Sequence, residues 1–205
     1  MLPERMIREA NPGRRRRGSV ASVCAYASAP APLTAIARPQ ASSPFVDLIR
    51  YKREYQEPMR ALHRSALEGF ALGMSQQQDE ADLMTIDEVY LRSGGEFLLG
   101  FIDERLVAMG GFQRLSDSAA ELRRMRIARE LQGQGYGTLL LRELERRAFR
   151  CGVRTLCLEA ARRRPLTLEF CRKHGYQETG QSFYGAVETV QFSKTLAGRW
   201  CESAA

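Results

Sequence analysis

The run Gln132-Gly133-Gln134-Gly135-Tyr136-Gly137 puts a glycine at every second position, after a strand-like stretch at 121–127 and just before a helical pattern at 136–150. Glycine lets the backbone approach a ligand closely and adopt conformations other residues resist, so successive N–H groups can converge on one anion. The helix that follows adds unsatisfied first-turn donors and the positive end of its dipole. A strand, a glycine bend and a helix in that order predict a phosphate cradle within an α/β unit.

The pattern on either side is regular. Residues 45–50 read as a strand, and 55–70 as an amphipathic helix with Met59, Leu62, Ala66 and Phe70 on one face. A second helix is expected over 80–91. Ser93-Gly94-Gly95 then breaks the chain, and strands are expected at 97–102 and 106–113 around Asp103-Glu104-Arg105. The loop 116–119 leads into a third meander strand at 121–127. Beyond the glycines, Tyr136, Leu140, Leu144 and Ala148 recur at helical spacing up to Gly152. A strand at 155–159, a helix at 165–173 with Pro165 in its first turn, and a closing hairpin at 176–179 and 187–193 complete the order.

Composition narrows the classes. A chain of 205 residues with 44% hydrophobic content holds about one domain and a tail. No stretch reaches the roughly 18 apolar residues of a membrane helix, so no membrane association is expected. The five cysteines form no CxxC pair, which fits reduced thiols and a cytoplasmic setting. With His63 and His174 the sole histidines, no metal site is expected. Of the net charge of +7, a share of +5 lies before Phe45, in a segment containing Arg14-Arg15-Arg16-Arg17. The near-neutral remainder argues against a nucleic-acid face. Residues 1–44, rich in Arg, Ala, Ser and Pro, are expected to be disordered, because they cannot bury enough apolar surface to offset their ordering entropy. Their acid-poor character leaves an organelle address open, as it does a start placed too far upstream. The folded domain is expected over 45–197, with a tail at 198–205.

Gln132-x-x-Gly135-x-Gly137 resembles the pyrophosphate loop of the GNAT superfamily of acyl-CoA-dependent N-acyltransferases. Three flanking pieces strengthen the resemblance: Glu-Leu-Arg-Arg-Met-Arg-Ile at 121–127, Leu-Cys-Leu-Glu at 156–159, and Arg172-Lys173-His174-Gly175-Tyr176. The resemblance implies a mixed α/β (α+β), mostly antiparallel sheet of six to seven strands flanked by about four helices. It further implies acetyl-CoA as co-substrate, an amine acceptor that is a small molecule or a peptide, and a homodimer. Amides of Gln132, Gly133, Gln134, Gly135, Tyr136, Gly137 and Thr138 would hold the CoA pyrophosphate. Backbone groups of Met125 and Ile127 would meet the pantetheine arm, and donors there would stabilise the oxyanion formed on amine attack.

An amine must lose a proton before it attacks. For a lysine side chain with a pKa near 10.4 this costs about 4.6 kcal/mol at pH 7, and for an α-amino group about 1 kcal/mol. By the resemblance Glu121, which begins its strand, is the candidate base; the alternative is a solvent-facing strand-end carboxylate. Many family members carry a tyrosine near the end of the last helix that protonates the departing thiolate, and here that position is Cys171. Cys171 could donate a proton or be a buried small apolar residue. Tyr184, placed in the loop of the closing hairpin, could substitute, or the thiolate could leave unassisted. Arg162, Arg163 and Arg164 could reach the 3′-phosphate of CoA or form a solvated loop.

Two rival readings stand beside this one. Gly133-x-Gly135 between strand and helix, with Glu159 at the end of the next strand, also fits a dinucleotide-binding Rossmann unit. Thr138 stands where its third glycine belongs, and a Rossmann domain needs further βα units. The third reading is a GNAT-like fold that binds acyl-CoA as a sensor and transfers nothing.

Overall fold

The computed structural model describes residues 46–68 and 80–196. Its elements run β1 (Asp47–Arg50), α1 (Gln56–Leu67), α2 (Asp87–Leu91, π-helical), β2 (Glu96–Ile102), β3 (Arg105–Arg114), β4 (Ala119–Ile127), α3 (Tyr136–Arg150), β5 (Thr155–Ala161), α4 (Pro165–Lys173), β6 (Gln177–Tyr184) and β7 (Val187–Thr195). The strands form one seven-stranded sheet in the order β1-β2-β3-β4-β5-β7-β6. Every neighbouring pair is antiparallel except β4–β5. This is the mixed, mostly antiparallel sheet of six to seven strands with about four helices that the family resemblance implies. The segment 1–44, Phe45, Phe70 and the tail 198–205 lie outside the described residues.

Alternation along β3 explains how the helices divide between the two faces. A Cβ on Gly110 would lie 3.3 Å from Leu140 of α3, whereas one on Gly111 would lie 2.6 Å from the Phe97 ring. Phe97 packs edge-on against Tyr90 of α2 with ring centroids 5.0 Å apart. Successive strand residues point to opposite faces, so α3 and α2 cover opposite sides of the sheet. Both glycines leave room for what packs there. The α3 stripe Tyr136, Leu140, Leu144 and Ala148 is buried as its spacing predicts, and each leucine contributes about 1.5–3 kcal/mol by leaving water. Met59, Leu62 and Ala66 of α1 are buried likewise.

Three expectations need correction. The helix expected over 80–91 is a turn at 80–84, where Leu83 and Met84 N–H donate to the Glu80 carbonyl, followed by the π-helical α2 closed by Arg92 N–H to Asp87 O. Glu80 and Asp82 turn inward to the guanidiniums of Arg60 and Arg124, and that ion pairing prevails over a regular helix. The closing hairpin is longer than its apolar pattern suggests, because β6 is a polar edge strand whose ladder with β7 runs to Tyr184. Tyr184 therefore ends a strand and does not sit in the loop. Tyr176 precedes that strand, buried, its hydroxyl donating to Glu145 at 3.0 Å.

Candidate active site

The one parallel contact in the sheet is short. β4 and β5 pair only at Ala119–Thr155, Ala120–Leu156 and Glu121–Cys157. Past Glu121 the two strands part: β4 continues along β3 to Ile127, and β5 continues along β7 to Ala161. A wedge opens between their inner edges, and backbone groups line both sides of it. On β4, Arg124 (φ 58) and Met125 together face Gly110 of β3, a bulge that locally interrupts the ladder. The Met125 carbonyl accepts from Arg126 Nη1 at 2.9 Å and the Ile127 carbonyl from Gln132 Nε2 at 3.0 Å, and each keeps a second lone pair.

The glycine loop stands at the wide end of the wedge. Gly133 (φ 75) and Gly135 (φ 94) are left-handed, and nothing lies within 4 Å of where a Cβ would stand on either. The loop uses glycine for its conformation and keeps an open face. Gln132 ties it to the end of β4, and Gln134 Nε2 donates to the Glu130 carbonyl at 2.8 Å. Thr138 and Leu139 N–H both donate to Gly135 O, at 2.9 and 3.1 Å. The amides from Gly133 to Gly137 have no backbone acceptor among the described residues, whereas those of Gln132 and Thr138, expected among the diphosphate donors, are taken by Arg129 O at 3.3 Å and Gly135 O at 2.9 Å. Five donors on an open bend at the start of a 15-residue helix fit an anion such as a diphosphate.

At the narrow end sits Glu121, buried at 3% exposure, which removes the alternative of a solvent-facing carboxylate. Its Oε2 is 3.9 Å from Arg123 Nε. Burial and the Glu121 carboxylate push the Cys157 thiol across the strand pair up to about 11. Cys171 is buried within the hydrophobic core, whereas Cys157 is half-buried. β7 sets the level of Tyr184: Cys157 pairs with Ser193 and Tyr184 with Val187, six residues along β7, or about 20 Å of strand. Glu121 and Tyr184 thus stand towards opposite ends of β5. Arg162 donates to Glu188 Oε1 at 2.6 Å, and Glu159 accepts from Thr189 Oγ1 and Gln191 Nε2.

Pattern reading missed two features. On the α2 face, Arg124 donates to both carboxylate oxygens of buried Asp82, and Tyr90 donates to Oδ2 as well. Burial alone would raise the Asp82 carboxyl, but Arg124, Arg123 and the Tyr90 hydrogen bond hold it below the usual carboxylate range. No local pattern reveals a pair so distant in sequence; the one signal is several ionisable residues within a core strand. The second feature is a cleft of ≈820 Å³ beside the glycine loop, lined by Thr138, Arg142, Glu145, Lys173, His174, Gly175 and Lys194. In it Thr138 Oγ1 and His174 Nε2 are 3.0 Å apart. The polar stripe 138–142–145 on α3 is its trace in the sequence.

Solved structures share this architecture. An acetyltransferase of the GNAT family from Staphylococcus aureus Mu50 superposes with a TM-score of 0.67 at 21% identity, covering 75% of this chain and 100% of its own. The ribosomal-protein-S18-alanine N-acetyltransferase from Escherichia coli gives 0.60 at 16% identity, covering 76% and 97%. PaiA N-acetyltransferase from Thermoplasma acidophilum, solved in complex with coenzyme A, gives 0.59 at 19% identity, covering 72% and 98%. No curated protein matches the sequence. The fold these structures define is an acyltransferase fold, and its antiparallel β6–β7 ending departs from the further parallel units of a Rossmann domain. Residues 55–176 match the acetyltransferase (GNAT) family, and the chain belongs to that family. Among the described residues no helix is long and apolar enough to cross a membrane, and no three His, Cys, Asp or Glu side chains converge as metal ligands.

Proposed function

We propose that the protein transfers an acetyl group from acetyl-coenzyme A to a primary amine, by direct attack of the amine within a ternary complex. The observation that carries this reading is the wedge beyond Glu121 and Cys157, with the open amides of 133–137 at its wide end. Diphosphate on those amides directs a pantetheine arm down the wedge, where Met125 and Ile127 offer backbone partners, as does the amide-rich bulge at Arg124. The coenzyme A complex of PaiA supports the same co-substrate here.

Each residue then has a defined task. The amides of Gly133 to Gly137 bind and orient the diphosphate, and Thr138 can add only its hydroxyl, since its N–H is taken by Gly135 O. Backbone N–H groups at the β4 bulge face the developing oxyanion. Glu121, buried at the narrow end, takes the amine proton, a step worth a factor of about 10²–10⁴ for a positioned base. Cys171 stays in the core, Tyr184 stands at the other end of β5, and the thiolate leaves without a side-chain acid. The acceptor is a small-molecule or peptide amine. The test is release of free coenzyme A across an amine library, with the acetylated product identified by mass. Acetyl-CoA binding without amine-dependent thiol release would favour a sensor. A nicotinamide nucleotide that binds where coenzyme A does not would overturn the assignment.

A further inference from the structure

We propose that His174 is a positioning residue for the diphosphate: it decides where the Thr138 hydroxyl proton points, and so ties the grip of the loop to proton uptake. This rests on the diphosphate reading of 133–138 given above.

His174 Nδ1 lies 2.8 Å from the Phe170 carbonyl, which can only accept, so Nδ1 carries a hydrogen in both protonation states. The other nitrogen, Nε2, meets Thr138 Oγ1 at 3.0 Å. With the ring neutral, Nε2 is a bare acceptor and the hydroxyl must donate its single hydrogen to it. Thr138 then shows only lone pairs to the start of α3, which is unfavourable next to a phosphate oxygen. With the ring protonated, Nε2–H donates to Oγ1, and the hydroxyl hydrogen is released to swing toward the anion. One proton taken from solvent onto Nε2 thus converts Thr138 from an acceptor into a phosphate donor, and it brings a positive charge nearby.

The surroundings decide in which state this matters. Arg142 of α3, Lys173 of α4 and Lys194 of β7 line the same cleft, with Glu145 of α3 as its one acid. Glu145 already accepts from Lys194 at 2.6 Å and from the Tyr176 hydroxyl at 3.0 Å. The ring also packs on Phe170, with centroids 4.2 Å apart, so it is held in place and does not swing into the wedge. Three cationic side chains thus stand around the ring with the one acid engaged, and an arriving diphosphate brings the negative charge that a donating Nε2–H and the freed hydroxyl would face.

The test uses the full chain and dephospho-coenzyme A, because the 3′-phosphate of coenzyme A would itself titrate near pH 6. Calorimetry at pH 6 and pH 8, in one buffer of small and one of large ionisation heat, reads both affinity and protons exchanged. The wild type is expected to bind about threefold to tenfold more tightly at pH 6 and to take up a fraction of a proton. H174Q is expected to bind with a pH-independent affinity and no buffer-dependent heat. His63 is the other histidine of the chain, so H174Q isolates the ring in question. T138V is expected to bind at pH 6 no better than the wild type does at pH 8. If H174Q does not fold, T138V carries the same readout. Wild-type binding without proton uptake overturns the proposal and leaves the diphosphate site standing. Full linkage retained in T138V also overturns it, since His174 would then act by its charge alone. No wild-type binding at all would sink the diphosphate reading and this inference with it.

Discussion

Arg124 and Asp82 lie 42 residues apart in sequence and meet in the core, with Nη2 to Oδ1 at 2.7 Å and Nε to Oδ2 at 3.0 Å. Arg124 leaves β4 from a left-handed backbone position, so this two-pronged contact pins the bulge that sets the edge of the wedge. The turn ahead of α2 and the wall of the candidate site are therefore one mechanical unit.

Removing the charge from Asp82 should loosen that unit. D82N leaves the Arg124 guanidinium buried with a weakened partner, and a loss of about 3 kcal/mol is expected in urea unfolding. The pH dependence follows from the direction of the shift. A carboxyl held below its ordinary value stabilises fully above about pH 4 and loses that contribution as pH falls through its lowered folded value. Wild-type stability should therefore fall more steeply than that of D82N below about pH 4. Equal slopes would show that Asp82 does not contribute.

Gly135 is left-handed (φ 94) with open space around it, so G135A strains the backbone by about 1–2 kcal/mol without creating a clash inside the protein. Its methyl group would stand on the open face of the loop. The KM for acetyl-CoA is expected to rise at least tenfold, with a smaller change in kcat. A KM within twofold of wild type would separate this loop from coenzyme binding.

E121Q is nearly isosteric and removes the proposed base. A fall of about 10²–10³ in kcat is expected, with loss of the acidic limb of the pH–rate profile. An unchanged rate and profile would show that the amine arrives already neutral.

The half-buried Cys157 and the buried Cys171 offer a chemical check. Cys157, raised to about 11, should resist iodoacetamide at pH 8, while the exposed Cys151 is modified first. Peptide mapping would read the order. C171A should keep kcat within twofold and lose about 1 kcal/mol of stability, the value of a small core truncation. A large fall in kcat would return Cys171 to the chemistry.

Sequence periodicity carried most of the architecture. The stripe from Tyr136 to Ala148, the glycine loop and the meander strands were legible because period and turn chemistry agree there. The stretch 80–91 misled, since a helix-like pattern also arises when two acids must reach buried arginines. β6 was half invisible because an edge strand exposed on one side, reading Gln-Glu-Thr-Gly-Gln-Ser-Phe-Tyr, has no apolar alternation to detect. The glycine motif points to the loop amides, and Glu121 follows only from the family resemblance, since a lone carboxylate in a strand carries no pattern of its own. The Thr138–His174 contact joins α3 to the residue that caps α4, 36 residues away, and its one local trace is the polar stripe on α3.

Because the β4–β5 ladder is only three residue pairs long, the strand pairing divides the sheet into two panels, β1–β4 and β5–β7. Amide exchange should find this join among the earliest parts of the sheet to open. A molecule lying along both inner edges would act as a missing strand, so filling the wedge and closing the fold are one event.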